Sequence, residues 1–167
     1  LDNDREQKLF AGAPYPVIEV GAAFSPDGEW LAYTVGDGAA LEYEIWAQPF
    51  PPTGERRRIS QEFGVMPLWT QDGQELFYRP MTSTRGERQT LRSIQVSTEP
   101  AFTFTEESSV SIGEFLSFAF YRSFDIMPDG ERLLVVLPAQ VTAADELPGQ
   151  RLHVVLNWFE EIKERLP

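Results

Sequence analysis

The chain of 167 residues has no cysteine and a single histidine, His153. Without thiols it forms neither a disulfide nor a thiolate metal site, and redox chemistry leaves the compartment open. Cations are scarce as well: 14 Lys and Arg stand against 26 Asp and Glu, a net charge of −12. Such a surface repels phosphate backbones and anionic headgroups, which excludes nucleic acid as a partner class and disfavours anionic membranes. No apolar run is long enough to cross a bilayer as a helix; the longest clean one, LLVVLPA at 133–139, has the length of a strand. The opening residues, LDNDREQKLF, hold neither an initiator Met nor a signal-peptide pattern, so the expectation is a mature form or an excised piece. What is plentiful is apolar material: 42% hydrophobic and 13% aromatic residues suffice for a packed core.

That material is written as a repeat. FSPDGEWLAY at 24–33 returns as WTQDGQELFY at 69–78 and as IMPDGERLLV at 126–135. Aligned on Asp27, Asp72 and Asp129, each copy has a large apolar residue three positions earlier (Phe24, Trp69, Ile126) and Gly28, Gly73 or Gly130 one position later. Four positions on stand Leu31, Leu76 and Leu133. The copies lie 45 and 57 residues apart. The first spacing suits a four-stranded propeller blade, and the second leaves room for a longer loop within 103–120.

Each copy reads as a β-hairpin. The glycine supplies the positive φ of a tight reversal, and Pro26 and Pro128 stop the incoming strand, with Gln71 in that place in the second copy. The outgoing strands are apolar on both faces, as in Trp30–Val35 and in RLLVVL at 132–137, which implies cover on both sides. Strands are expected at 16–24, 29–35, 43–50 and 56–61, then at 65–70, 75–79, 91–97 and 101–105, then at 118–127, 132–138 and 151–156. The predicted fold is all-β: about three four-stranded antiparallel blades of a partial or half propeller, with a short C-terminal helix. Its divisions are an N-terminal strand of an adjoining blade in 1–13, blades in 14–62, 63–108 and 109–156, and the helix in 157–167. The helix follows from Asn157 as N-cap with Glu160 three residues on, and from Trp158, Phe159, Ile162 and Leu166 on one face.

FSPDGEWLAY, EIWAQPFPPTGERRRIS, PLWTQDGQELFYR, MPDGERLLVV and the ending VVLNWFEEIKERLP, in that order, resemble TolB-like β-propeller repeats. More narrowly, they look like the closing blades of large bacterial propellers found C-terminal to serine/threonine kinase or transcriptional-regulator modules. The resemblance runs from Pro14 to Pro167; it departs at Gln71, in the insert before Phe120 and in the missing earlier blades. It implies a ring of about six blades, of which this chain has material for three. A half ring exposes flanks and strand edges. One way to close it is for QKLFAG at 7–12 to complete the third blade of a second copy, giving a homodimer by two-fold symmetry. The other is further blades in a longer chain.

Chemistry is thinly represented. His153 lies in a strand pattern without a nucleophile signature, and reads as an ordinary strand histidine. There is no G-x-S-x-G elbow, H-E-x-x-H or phosphate loop, and GDGAAL at 36–41 sits in a predicted hairpin. The three repeated aspartates are expected to set turns rather than bind metal. ERRRIS at 55–60 reads either as a charged outer strand or as a basic kinase target ending at Ser60, the first being preferred; TFTEESS at 103–109 reads as a solvated loop. No catalytic residue, metal site or cofactor is expected.

Propeller geometry nominates binding residues where each innermost strand begins: Glu19 and Val20, Val65 and Met66, and Tyr121 with Arg122. The aromatic–arginine pair suits a protein or peptide partner. The preferred function is a non-catalytic binding or scaffold module; the rival is an accessory propeller of a hydrolase or peptidase whose catalytic residues lie elsewhere. Resemblance to TolB-like proteins points to the periplasm, although no residue fixes the compartment.

Overall fold

The computed structural model describes residues 17–40, 42–81, 89–99, 101–105, 107–113, 121–130 and 132–137, together with the backbone of 151–155. Three antiparallel sheets follow one another along the chain. The first has the spatial order β1 (Val17–Phe24), β2 (Trp30–Asp37), β3 (Glu42–Pro49) and β4 (Arg57–Arg58). The second has β5 (Gly64–Trp69), β6 (Glu75–Pro80), β7 (Gln89–Ser97) and β8 (Thr103–Phe104), with β9 (Ser108–Gly113) also on β7. The third has β10 (Phe124–Ile126), β11 (Leu133–Leu137) and β12 (Arg151–Val155). Every strand is thus paired with a near neighbour in sequence, which makes each sheet a propeller blade, and no helix occurs among the described residues. The expected strand 7–12 and the helix 157–167 lie outside those residues, as do the side chains of β12, including His153.

The repeated phrase folds the same way three times. In each, the glycine N–H donates to the carbonyl three residues back: Gly28 to Ser25 at 2.9 Å, Gly73 to Thr70 at 3.0 Å and Gly130 to Met127 at 2.8 Å. That turn requires a backbone at φ 75, 72 and 70°, which explains the glycine. One further bond closes each hairpin, from Ser25, Thr70 and Met127 N–H to the carbonyls of Trp30, Glu75 and Arg132.

The second sheet is covered on both faces. Leu76, Tyr78, Ile94 and Val96 pack with Ala32, Ile45, Ala47 and Ile59 of the first blade. Phe77, Leu91 and Val110 pack with Phe124, Leu133 and Val135 of the third. The seam between the first two blades is held along its length by the Trp69 indole N–H on the Ala23 carbonyl (3.1 Å), the Met66 N–H on the Thr34 hydroxyl (3.1 Å) and the Arg57 guanidinium on the Phe102 carbonyl (3.1 Å). Farther out, the Tyr78 hydroxyl and the Gln61 N–H both donate to Glu107. Burial, then the Glu107 carboxylate, push the Tyr78 phenol well above its usual range.

One sequence expectation about the strands needs correction. The stretch 103–120 is not one loop: β9 pairs with β7 from Thr90↔Ser111 to Ser93↔Ser108, so residues 109–113, assigned to the third blade, lie in the second sheet. Its alternation SSVSIG offers a single buried apolar residue, Val110, too weak a pattern to read as a strand. The outer edge of β7 is therefore shared by β8 and β9 at its two ends. The preferred reading of ERRRIS, a charged outer strand, is what the sheet has in β4, and the kinase-target alternative fails: Ser60 is 3% exposed, and its hydroxyl accepts the Ile45 N–H at 3.0 Å. The three arginines instead lie along the outer edge. Arg56 sits over the Trp46 ring at 5.0 Å, Arg57 pairs with Glu55, and Arg58 pairs with Glu44.

Close packing leaves no room at Gly36, where an added Cβ meets the Tyr43 ring. Gly36→Ala is therefore expected to cost about 1–3 kcal/mol in urea unfolding, with the penalty shrinking in a Tyr43→Leu background. A penalty that does not change with Tyr43 contradicts this packing.

Candidate functional site

Both complete inner strands are broken at the same place. The register shifts between Val20 and Ala23 in β1 and between Val65 and Leu68 in β5. Gly21 and Met66, each at φ 62°, are the bulged residues, and they stand 45 residues apart, the spacing of the first two repeats. A left-handed methionine costs about 1–2 kcal/mol, which the packed seam absorbs. The bulge re-aims the last residues of each inner strand.

Those last residues line one groove of about 550 Å³. Positions three before the repeated aspartate contribute Phe24, Trp69 and Ile126, and positions one before it contribute Pro26, Gln71 and Pro128. All six line the groove, so three blades present equivalent residues to one space. Phe24 is 52% exposed and rests edge-on against Phe50 at 5.1 Å, whereas Trp69 is buried and fixed by its bond to Ala23. Arg122 and Asp125 supply the charges.

The neighbouring turns are electrostatically tight. Asp27 accepts the Ser25 hydroxyl and the Glu29 N–H, and Asp72 accepts the Thr70 hydroxyl at 2.6 Å and the Gln74 N–H at 3.0 Å. These bonds, the hydroxyl first, hold the Asp72 carboxyl below the usual carboxylate range. Burial pushes Glu75 up, opposed by its bonds from Ser93 and Gln95. Thr70, the one hydroxyl-bearing side chain among the described residues of the groove, also bonds the Glu75 backbone, so it is committed to the turn. In the third copy, Arg132 pairs with Asp129.

The residues nominated from sequence fall into three groups. Arg122 lines the groove, and Tyr121 next to it is 74% exposed. Glu19 and Val20 are half-buried in β1, paired with Val35 and Thr34 and upstream of the bulge. Val65 and Met66 are core residues, 0% and 4% exposed, with no surface to offer a ligand. The groove thus forms where the inner strands end, not where they begin. Its six repeated positions were in the alignment already; the missing signal was that equivalent positions of adjacent blades converge in space. No group of three or more His, Cys, Asp or Glu able to hold a metal ion occurs among the described residues.

Among solved structures, the chain is similar to an oligogalacturonate lyase in complex with manganese, with a TM-score of 0.58 and 12% identity over 92% of this chain. The fold is that of a β-propeller. The chain spans 39% of the length of that lyase. It is also similar to TolB from Acinetobacter baumannii (TM-score 0.41, 14% identity, 84% of this chain and 41% of that one). A third is the acylaminoacyl peptidase of Pyrococcus horikoshii (0.44, 18%, 77% and 22%). No protein-family description matches the sequence, and no curated protein matches it either.

Asp72 carries a pH prediction. Its depressed pKa adds stability that is present above about pH 4, its unfolded value, and is lost as pH falls through the folded pKa. In Thr70→Val, carboxyl NMR is expected to show Asp72 titrating closer to the ordinary range, with a stability loss of about 1 kcal/mol at neutral pH. An unmoved Asp72 titration contradicts the role given to the hydroxyl.

Proposed function

We propose that this chain is a non-catalytic propeller module that recognises a protein or peptide partner across the three-blade groove, as part of a larger ring. The supporting observation is the convergence of Phe24, Trp69 and Ile126, with Pro26, Gln71 and Pro128, on one space of about 550 Å³. Apolar side chains from the strand ends line it together with Thr70, Gln71, Arg122 and Asp125, a mixture that gives a peptide both contact area and orienting polar partners. Tyr121 and Arg122 beside it are residue types that dominate interface energetics. The acidic surface steers away nucleic acid and favours neutral or basic partners.

On this reading the other blades come from the rest of a longer protein, with a kinase or regulator module upstream, or from a second copy of the chain. The accessory-hydrolase reading keeps the same groove as a gate, and draws its catalytic groups from another domain.

The test is selection of short random peptides on the immobilised chain, followed by fluorescence anisotropy. Enriched peptides are expected to lose roughly tenfold or more in affinity on Arg122→Glu and on Phe24→Ser. Phe104→Ser, on the far outer strand β8, is expected to leave them unchanged. Enrichment of nothing, or of peptides indifferent to both groove substitutions, contradicts the proposal.

A further inference from the structure

The three-blade groove has a neighbour. A second hollow of about 400 Å³ lies between the turns of the second and third blades, lined in part by Asp72, Glu75 and Asp129. The two spaces adjoin, sharing Thr70, Gln71 and Pro128 in their linings, and together form a trough of two halves divided by those residues. The first is lined by Phe24, Trp69 and Ile126 together with Arg122 and Asp125, and the second by the three carboxylates together with Pro128 and Gly130. Arg132 pairs with Asp129, and among the described residues no cation pairs with Asp72 or Glu75.

Gln71 sits at the junction. It takes the place that proline holds at Pro26 and Pro128, it is exposed, and it lines both hollows. A proline there has no side-chain donor or acceptor, whereas a glutamine amide supplies both, the pair that an extended backbone presents. The place where the repeat exchanges proline for glutamine therefore coincides with a position common to both halves.

Resting on the binding-module reading above, we infer that the trough takes an extended peptide segment in which a short apolar run is followed or preceded by Lys or Arg. The apolar side chains lie against Phe24 and Ile126, the Gln71 amide bonds the peptide backbone, and the cation sits by Asp72 and Glu75. The choice of cation rests on charge complementarity: a Glu or Asp at that end meets two like charges, while a Lys or Arg meets two opposite ones.

The experiment uses fluorescein-labelled peptides of one length with a Leu/Pro-rich half and a Lys-Lys end, made in both chain directions, and their Glu-Glu counterparts. Anisotropy on the full chain is expected to show the better Lys-Lys direction binding at least roughly tenfold tighter than Glu-Glu. Gln71→Lys and Glu75→Gln each collapse that preference. Ala39→Lys, which adds the same charge as Gln71→Lys in the exposed β2–β3 turn, leaves it within about twofold. Circular dichroism confirms that each variant is folded, and Gln71→Lys, at an exposed site, keeps the test valid where Glu75→Gln does not fold. Equal binding of the two peptides overturns the inference, as does a preference that survives Gln71→Lys or falls equally with Ala39→Lys. If groove-dependent peptides from the selection bind while neither Lys-Lys direction does, the cation inference fails and the binding module stands. If no peptide binds through the groove, both fall.

Discussion

Burial of both faces of the second sheet holds the described structure together. Leu76, Tyr78 and Ile94 close one face against the first blade, and Phe77, Leu91 and Val110 close the other against the third. Each fully buried side chain of this size contributes about 1.5–3 kcal/mol before the entropy of ordering is subtracted. A sheet so placed cannot slip by one residue, because the slip exchanges the two apolar sets and drives Glu75 and Arg92 into opposite seams. The register of β6 on β7 is thereby fixed, and the neighbouring blades are fixed against it.

The groove inherits its precision from that constraint. Its walls are the last residues of three inner strands, and their relative positions are set by seams rather than by loops. The Trp69 bond to Ala23 lies at those strand ends, and the Met66 bond to Thr34 lies at the bulge behind them. Strain at Met66 is affordable only because its side chain fills the space over Gly21, where an added Cβ would stand 2.9 Å from the Met66 sulfur. Groove and core thus lie at two ends of the same strands: Val65 and Met66 pack in the core, and Trp69 and Gln71 line the groove.

Much of this was legible in the residues. The Asp-Gly phrase has a strict local cause, the positive φ at Gly28, Gly73 and Gly130, and so it located three hairpins and the inner strands around them. Doubly apolar strands announced the stacked sheets. The role of Ser25 and Thr70 in closing the first two turns was less visible, because Met127 breaks the pattern and Arg132 bonds Asp129 in the third copy. β9 was hidden because its pairing is long-range in character and its composition polar. The position of the groove was hidden for a geometric reason. Sequence marks the start and end of each inner strand equally well, but only packing shows that the starts are sealed by Val65 and Met66 while the ends remain open beside Phe24 and Arg122.

Native-state hydrogen exchange tests the sandwiched second sheet most directly. Amides of Leu76–Tyr78 in β6 and Leu91–Ile94 in β7 are predicted to exchange last, through global unfolding, with those of β2 and β11 opening earlier from the flanks. If β2 or β11 outlasts β6 and β7, the second sheet is not the element on which the others are built.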